Sequence, residues 1–281
     1  MLCLGLDCPR VLRGGPNFMM LPDKVAIITG GGRGLGRSIA LAFGREGAKV
    51  VVTARTREQI EHVVEELRSL KKDAIAIPTD VSDEKQVYRL VERTIEVYGT
   101  IDILVNNAGS RGPIGPFHKI SLEDWERTLR SNLTATFLCT KAVLPVMMGK
   151  KEGKIINITT TLTPRPNLTP YMVAKAGVTH FTKQLYREVK DFNIRVYAIH
   201  PGVMDTQMQE EIRNAGVHAI GTDMFVRMKE EGILRSPDEP AHFILLLASD
   251  AANALSGEFL SFDGKIMDSL VSLDFGSLNF V

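Results

Sequence analysis

The sequence predicts an α/β fold, a single doubly wound domain in which a parallel sheet carries helices on both faces. Three observations lead there. Short β-branched runs alternate with stretches of helical periodicity along the chain. The runs lack strict polar alternation, as strands buried on both faces do. No internal repeat, low-complexity stretch or break in composition marks a second domain.

Taken in order, the candidate strands are Val25 to Thr29, Lys49 to Thr53, Ala74 to Ile77, Ile101 to Asn106, Lys154 to Thr159, Arg195 to Ile199 and Glu258 to Phe262. Between them, Glu58 to Leu70 places Ile60, Val63, Val64 and Leu67 on one helical stripe. Glu84 to Val97 repeats the pattern with Val87, Leu90, Val91 and Ile95. Strand, helix, strand in series implies right-handed crossovers and a parallel sheet. A chain of 281 residues with 44% hydrophobic content is long enough for one large core. Arg10 and Arg13 interrupt any apolar core in residues 1–20, so these do not read as a signal peptide, and a loosely ordered arm or an extended reading frame is expected there. The domain then covers 21–281, with a lid or substrate region over 207–234 that mixes Met208 and Phe225 with Arg213 and Lys229.

Bulk charge narrows the function classes. The net charge is +1, from 34 basic and 33 acidic residues, so no strong field draws the chain to nucleic acid or a membrane surface. No apolar run approaches the roughly 18 residues of a membrane helix. Cys3, Cys8 and Cys139 are scattered, which fits a reducing, cytoplasmic setting rather than a disulfide framework. The histidines show no metal-ligand spacing, so no metal is expected.

The first chemical motif follows the first strand: Thr29-Gly30-Gly31-Gly32-Arg33-Gly34-Leu35-Gly36, opening a helix from about Arg37. Glycines allow a tight turn and close approach to a pyrophosphate, and a helix N-terminus offers free N–H groups to it. A plain structural turn is the alternative, and the motif's place at the first strand-to-helix junction favours the phosphate loop. At the end of the second strand, where an acid often holds a ribose 2′-hydroxyl, the run is Thr53-Ala54-Arg55-Thr56-Arg57 and the first acid is Glu58. Arg55 and Arg33 suit a 2′-phosphate, which favours NADP(H) over NAD(H); otherwise both are solvated surface side chains. The second motif, Tyr171-Met172-Val173-Ala174-Lys175, puts a phenol and an amine on one helix face. A nearby ammonium favours the phenolate and should bring the tyrosine pKa down, making the pair an acid/base unit. Alone, a tyrosine and a lysine four apart are more often a packed ring beside a solvated amine.

Together these residues resemble the short-chain dehydrogenase/reductase family in its single-domain branch, over about Asp23 to Gly264. The resemblance rests on Thr29-Gly30-x-x-x-Gly34-x-Gly36, Asp80-Val81, Asn106-Asn107-Ala108-Gly109, Asn132, Tyr171-x-x-x-Lys175 and Pro201-Gly202 followed by Thr206. It implies a Rossmann domain with a seven-stranded sheet and a homotetramer or homodimer built partly on the Tyr171 helix. It also implies hydride transfer between a nicotinamide and a carbonyl or secondary alcohol. Tyr171 would be the proton donor and Lys175 would hold the ribose and tune Tyr171. Asn132 would anchor a relay water. Gly30, Arg33, Gly34, Leu35 and Gly36 would form the phosphate loop. Asp80 and Val81 would contact adenine, Asn107 the adenosine side, and Thr206 the carboxamide.

One departure stands out. The family usually has a serine thirteen residues before the tyrosine, and that position here is Ile158. Aligned on the strand instead, the serine position falls on Thr160, with Thr159 and Thr161 beside it, and the loop to Tyr171 is shorter and proline-rich. The altered loop also allows a different class of function, a dinucleotide-binding sensor or scaffold with weak turnover. His200 reads as a strand-ending residue with a satisfied ring and Cys139 as core, while Arg111 reads as a surface arginine, with reach to the active-site mouth and a preference for an anionic substrate as the alternative.

Overall fold

The computed structural model describes residues 19–213 and 222–262. The expected arm, the tail after Gly264 and residues 214–221 of the lid lie outside the described residues, apart from Met19 and Met20.

The strands are β1 (Val25–Thr29), β2 (Lys49–Thr53), β3 (Ala74–Ala76), β4 (Ile103–Asn106), β5 (Gly153–Ile158), β6 (Ile194–His200) and β7 (Phe259–Ser261). The helices are α1 (Gly34–Arg45), α2 (Arg57–Ser69), α3 (Glu84–Tyr98), α4 (Leu122–Leu129), α5 (Ala135–Lys150), α6 (Thr169–Val189), α7 (Gln207–Arg213), α8 (Thr222–Glu230) and α9 (Asp238–Ala248). All seven strands pair in parallel in the order β3-β2-β1-β4-β5-β6-β7. The expected strands are all present, with ends shifted by a residue or two.

Side-chain alternation sends each strand to two cores. Ile27, Val51 and Leu104 face the side where α3, α5 and α6 contribute Val87, Leu90, Val143 and Leu185. Ile28, Val50, Val52 and Val105 face the other side, against Ile39 and Phe43 of α1, Leu67 of α2 and Phe243 of α9. Both faces are therefore apolar, which is why the strand sequences carry no polar alternation.

Strand order reverses between β1 and β4, so their crossovers leave in opposite directions and open a crevice beyond their C-terminal ends. Two details there differ from the sequence reading. Helix α1 begins at Gly34 rather than about Arg37, because the glycine-rich turn itself supplies the first helical turn. Asn132 lies in a wide π-helical turn, Arg130–Thr134, joining α4 to α5. Such turns break the regular ladder and commonly sit at functional sites.

Candidate active site

A cleft of about 900 Å³ runs across the C-terminal edge of the sheet. Every candidate residue of the sequence reading lines it: Gly30, Arg33, Gly34, Leu35, Gly36, Arg55, Asp80, Val81, Asn107, Asn132, Thr160, Tyr171, Lys175 and Thr206.

One wall is the glycine loop. Gly30 and Gly34 have positive φ, 64° and 51°, which side chains rarely adopt. A Cβ on Gly36 would lie 2.2 Å from the Gly30 carbonyl oxygen, so the loop and α1 touch where no side chain fits. The loop is pinned by the end of β4: the Asn107 side-chain amide donates to the carbonyls of Thr29 (2.9 Å) and Gly30 (3.2 Å). Asn107 thus shapes the loop with its amide, although it also faces the cleft. The first turn of α1 has no side-chain cap and no acid. That leaves its N–H groups for an anion, and the wall fits a dinucleotide pyrophosphate.

At the end of the cleft beside β2, Arg55 is exposed and makes no ion pair among the described residues. Its neighbour Arg57 is taken by Glu61 at 3.1 Å. The Arg33 guanidinium donates to the Gln207 side chain of α7, reaching across the cleft. Asp80 accepts from the Ser82 N–H and hydroxyl. Thr206 packs over Gly34, where an added Cβ would lie 3.5 Å from its methyl.

The opposite wall is β5 and the start of α6. The three threonines after Ile158 separate here. The Thr159 hydroxyl is buried and donates to the Lys175 carbonyl at 2.9 Å. The Thr161 hydroxyl is held by the Thr163 hydroxyl and N–H. Only the Thr160 hydroxyl lies within hydrogen-bonding reach of the Tyr171 phenol. Beneath them the Lys175 amine donates to the Ile158 carbonyl at 2.8 Å and sits 5.9 Å from the Tyr171 ring centre.

Asn132 completes the set. Its amide nitrogen donates to the carbonyls of Ser110 (2.8 Å) and Thr128 (2.9 Å), which fixes the side chain. Its Oδ1 is buried and accepts nothing from the protein. A Cβ on Gly109 would lie 2.4 Å from that oxygen and 3.5 Å from the Lys175 amine, so the glycine keeps a polar pocket open between them. An orphaned acceptor facing an ammonium is what a relay water needs.

Electrostatics correct one expectation. Burial pushes the Tyr171 phenol up to about 12, opposed by the Thr160 hydrogen bond and the Arg165 charge. Burial pushes Lys175 down to about 8. Desolvation outweighs the stabilisation of the phenolate that the sequence spacing suggested, so the phenol holds its proton at neutral pH. His200 also departs from its sequence reading. Its Nδ1 has no partner, and burial, helped by the Arg165 charge, brings its pKa down to about 4. Arg111 is more than a surface arginine: it lines the cleft and pairs with Glu211 of α7 at 3.5 Å. Cys139 is core, with its thiol pushed up to about 12 by burial. Arg165, in the proline-rich loop before α6, escaped the sequence reading because nothing in its spacing ties it to the motifs.

The fold and cleft define a dinucleotide-dependent enzyme. The model of the short chain dehydrogenase family matches residues 24–216. A 3-oxoacyl-[acyl-carrier-protein] reductase of Synechocystis sp. is 36% identical over 252 residues, covering 88% of this chain and 98% of its own. The crystal structure of levodione reductase superposes with a TM-score of 0.81 at 28% identity, covering 89% of this chain and 99% of that one. A 7α-hydroxysteroid dehydrogenase complexed with NADH and 7-oxo glycochenodeoxycholic acid gives 0.77 at 31% identity, covering 90% and 97%. The chain belongs to the short-chain dehydrogenase/reductase family and is an NAD(P)-dependent oxidoreductase. Among the described residues, no helix is long and apolar enough to cross a membrane, and no cluster of side chains suits a metal ion.

Proposed function

We propose that the chain is an NADP(H)-dependent oxidoreductase that interconverts a carbonyl and a secondary alcohol, with Tyr171 as the general acid/base. The observation that carries this reading is the Tyr171 phenol facing the Thr160 hydroxyl, with Lys175 beneath, across the cleft from the uncapped start of α1. The glycine loop would hold the pyrophosphate, Asp80 and Val81 the adenine, Thr206 the carboxamide and Lys175 the nicotinamide ribose. Bound there, the nicotinamide supplies or accepts the hydride.

The chain's own part is proton handling. In reduction, Tyr171 gives its proton to the carbonyl oxygen, and the Thr160 hydroxyl donates a hydrogen bond to that oxygen as charge develops on it. The phenolate left behind is a stronger base than the Lys175 amine, given values of about 12 and about 8. Lys175 therefore returns the proton, and a relay water held between it and Asn132 Oδ1 would resupply it. A scaffold without turnover would have no use for this ordering.

NADP(H) is favoured over NAD(H) because Arg33 and Arg55 flank the adenine end without an acid at the close of β2. The exposed Phe137 of α5 and Val173 of α6 support a homodimer or homotetramer. The unpaired Cys139 fits a cytoplasmic setting. Oxidation of NADPH and NADH against a panel of ketones tests the reading. NADPH should give at least about tenfold higher kcat/KM, the worth of one charged hydrogen bond. Arg55→Asp should remove most of that advantage. Equal efficiency with both cofactors contradicts the NADP(H) assignment, and no oxidation across the panel contradicts the activity.

A further inference from the structure

The substrate half of the cleft has an uneven distribution of charge. Asp80 is the one carboxylate among the described residues that line the cleft, and it lies at the adenine end. The other half collects arginines, and most of them are accounted for. Arg111 pairs with Glu211, and Arg127 pairs with Glu123 and Asp124. Arg130 is exposed at the mouth, where water screens it.

Arg165 differs from all of these. It is half-buried in the loop between β5 and α6, and it has no acidic partner among the described residues. Its guanidinium stacks 5.2 Å from the ring centre of Phe225 on α8, a residue only 6% exposed. Its charge is felt at both Tyr171 and His200, so it sits on the reacting side of the cleft. Leu168, Met172 and Met208 line the same half and offer it no counter-charge. His200 is held neutral and the Lys175 ammonium is turned to the Ile158 carbonyl, so Arg165 is the half-buried guanidinium, a planar, bidentate donor, that this half of the cleft holds without an acidic partner among the described residues. A guanidinium held half-buried without a counter-ion costs free energy, and an anionic ligand would recover it.

We infer that the carbonyl substrate bears a carboxylate, and that Arg165 receives this group while the apolar wall around Phe225 covers the rest of the molecule. The planar guanidinium fork of Arg165 matches the two oxygens of one carboxylate. The inference rests on the carbonyl-reductase reading of the cleft but not on its proton chemistry.

The test reads binding rather than turnover. Hexanoate and phenylacetate, each against its amide, are titrated by calorimetry into the NADP-saturated protein. The carboxylates should bind about tenfold to hundredfold more tightly than the amides, the range for a hydrogen bond to a charged group. Arg165→Gln should close that gap while leaving NADP affinity unchanged, and Arg165→Lys, which keeps the charge, should restore part of it. Amides that bind as well as acids, a gap that survives Arg165→Gln, or no binding by any probe overturns the inference. A role confined to tuning Tyr171 would alter ketone turnover in Arg165→Gln and leave the gap intact, which also overturns it. Failure of the Tyr171 chemistry would leave these affinities untouched, so the two readings fail separately.

Discussion

Three adjacent threonines show how partners assign roles at the scale of single residues. Thr159 is consumed by the Lys175 carbonyl and Thr179, Thr161 by Thr163, and Thr160 alone faces the phenol. Thr160→Ala should therefore lower kcat by about 10²–10³-fold, the loss seen when a donor to a developing oxyanion is removed. Thr161→Ala should be silent in the same assay. Thr159→Ala should instead cost about 1 kcal/mol of stability, measured by urea unfolding. A damaging Thr161→Ala beside a silent Thr160→Ala would reverse the assignment. Lys175 offers a second test, through pH. Its folded pKa of about 8 lies below the ordinary 10.5. Below pH 8 both folded and unfolded states hold the proton, and the folded state bears the full cost of the buried charge. Between about 8 and 10.5 the unfolded chain binds more protons, so stability rises with pH. Relative to Lys175→Met, the parent should gain on the order of 3 kcal/mol across that window, whatever the packing change adds. A difference independent of pH would contradict the buried ammonium. Sequence spacing showed which residues pair, but not the sign of the Tyr171 shift. Burial depends on what packs around the ring, and four-residue spacing is silent about that.

At the scale of elements, the junction of β1 with α1 depends on a contact that only glycine permits. A Cβ on Gly36 would press on the Gly30 carbonyl at 2.2 Å, while Gly115 has open space around it. Gly36→Ala should thus weaken NADP binding at least about tenfold, since the helix end must shift away from the pyrophosphate. Gly115→Ala should bind as the parent does; equal affinity for all three proteins would show that the loop tolerates the clash. The strands were legible because β-branched runs between helical stripes have few other ways to bury both faces. The start of α1 was not, since glycine carries a poor helix propensity that tertiary packing overrides here. The wide turn at Asn132 was also hidden, because its residues satisfy ordinary helical periodicity. Arg165 was hidden for a different reason: its neighbour Phe225 is sixty residues away in sequence, and the proline-rich stretch around it reads as a plain loop.

The whole molecule is organised by the reversal of strand order at β1 and β4, which sets the glycine loop on one side of a cleft and the Tyr171 helix beyond β5 on the other. Helices α5 and α6 leave Phe137 and Val173 exposed at 45% and 44%. Light scattering at micromolar concentration should give two or four times the chain mass, and Phe137→Lys with Val173→Lys should shift it downward; a monomer at all dilutions contradicts the assembly. In this arrangement a proton passes from Tyr171 to the carbonyl oxygen, as proposed above, and Tyr171→Phe probes that step because the ring still packs and only the hydroxyl is lost. With a ketone that the parent reduces, kcat should fall by at least about 10²–10⁴-fold, the usual worth of a positioned general acid. The dissociation constant for NADP, measured on the same preparation, should remain that of the parent. Near-normal turnover in Tyr171→Phe would contradict the account and require another acid in the cleft.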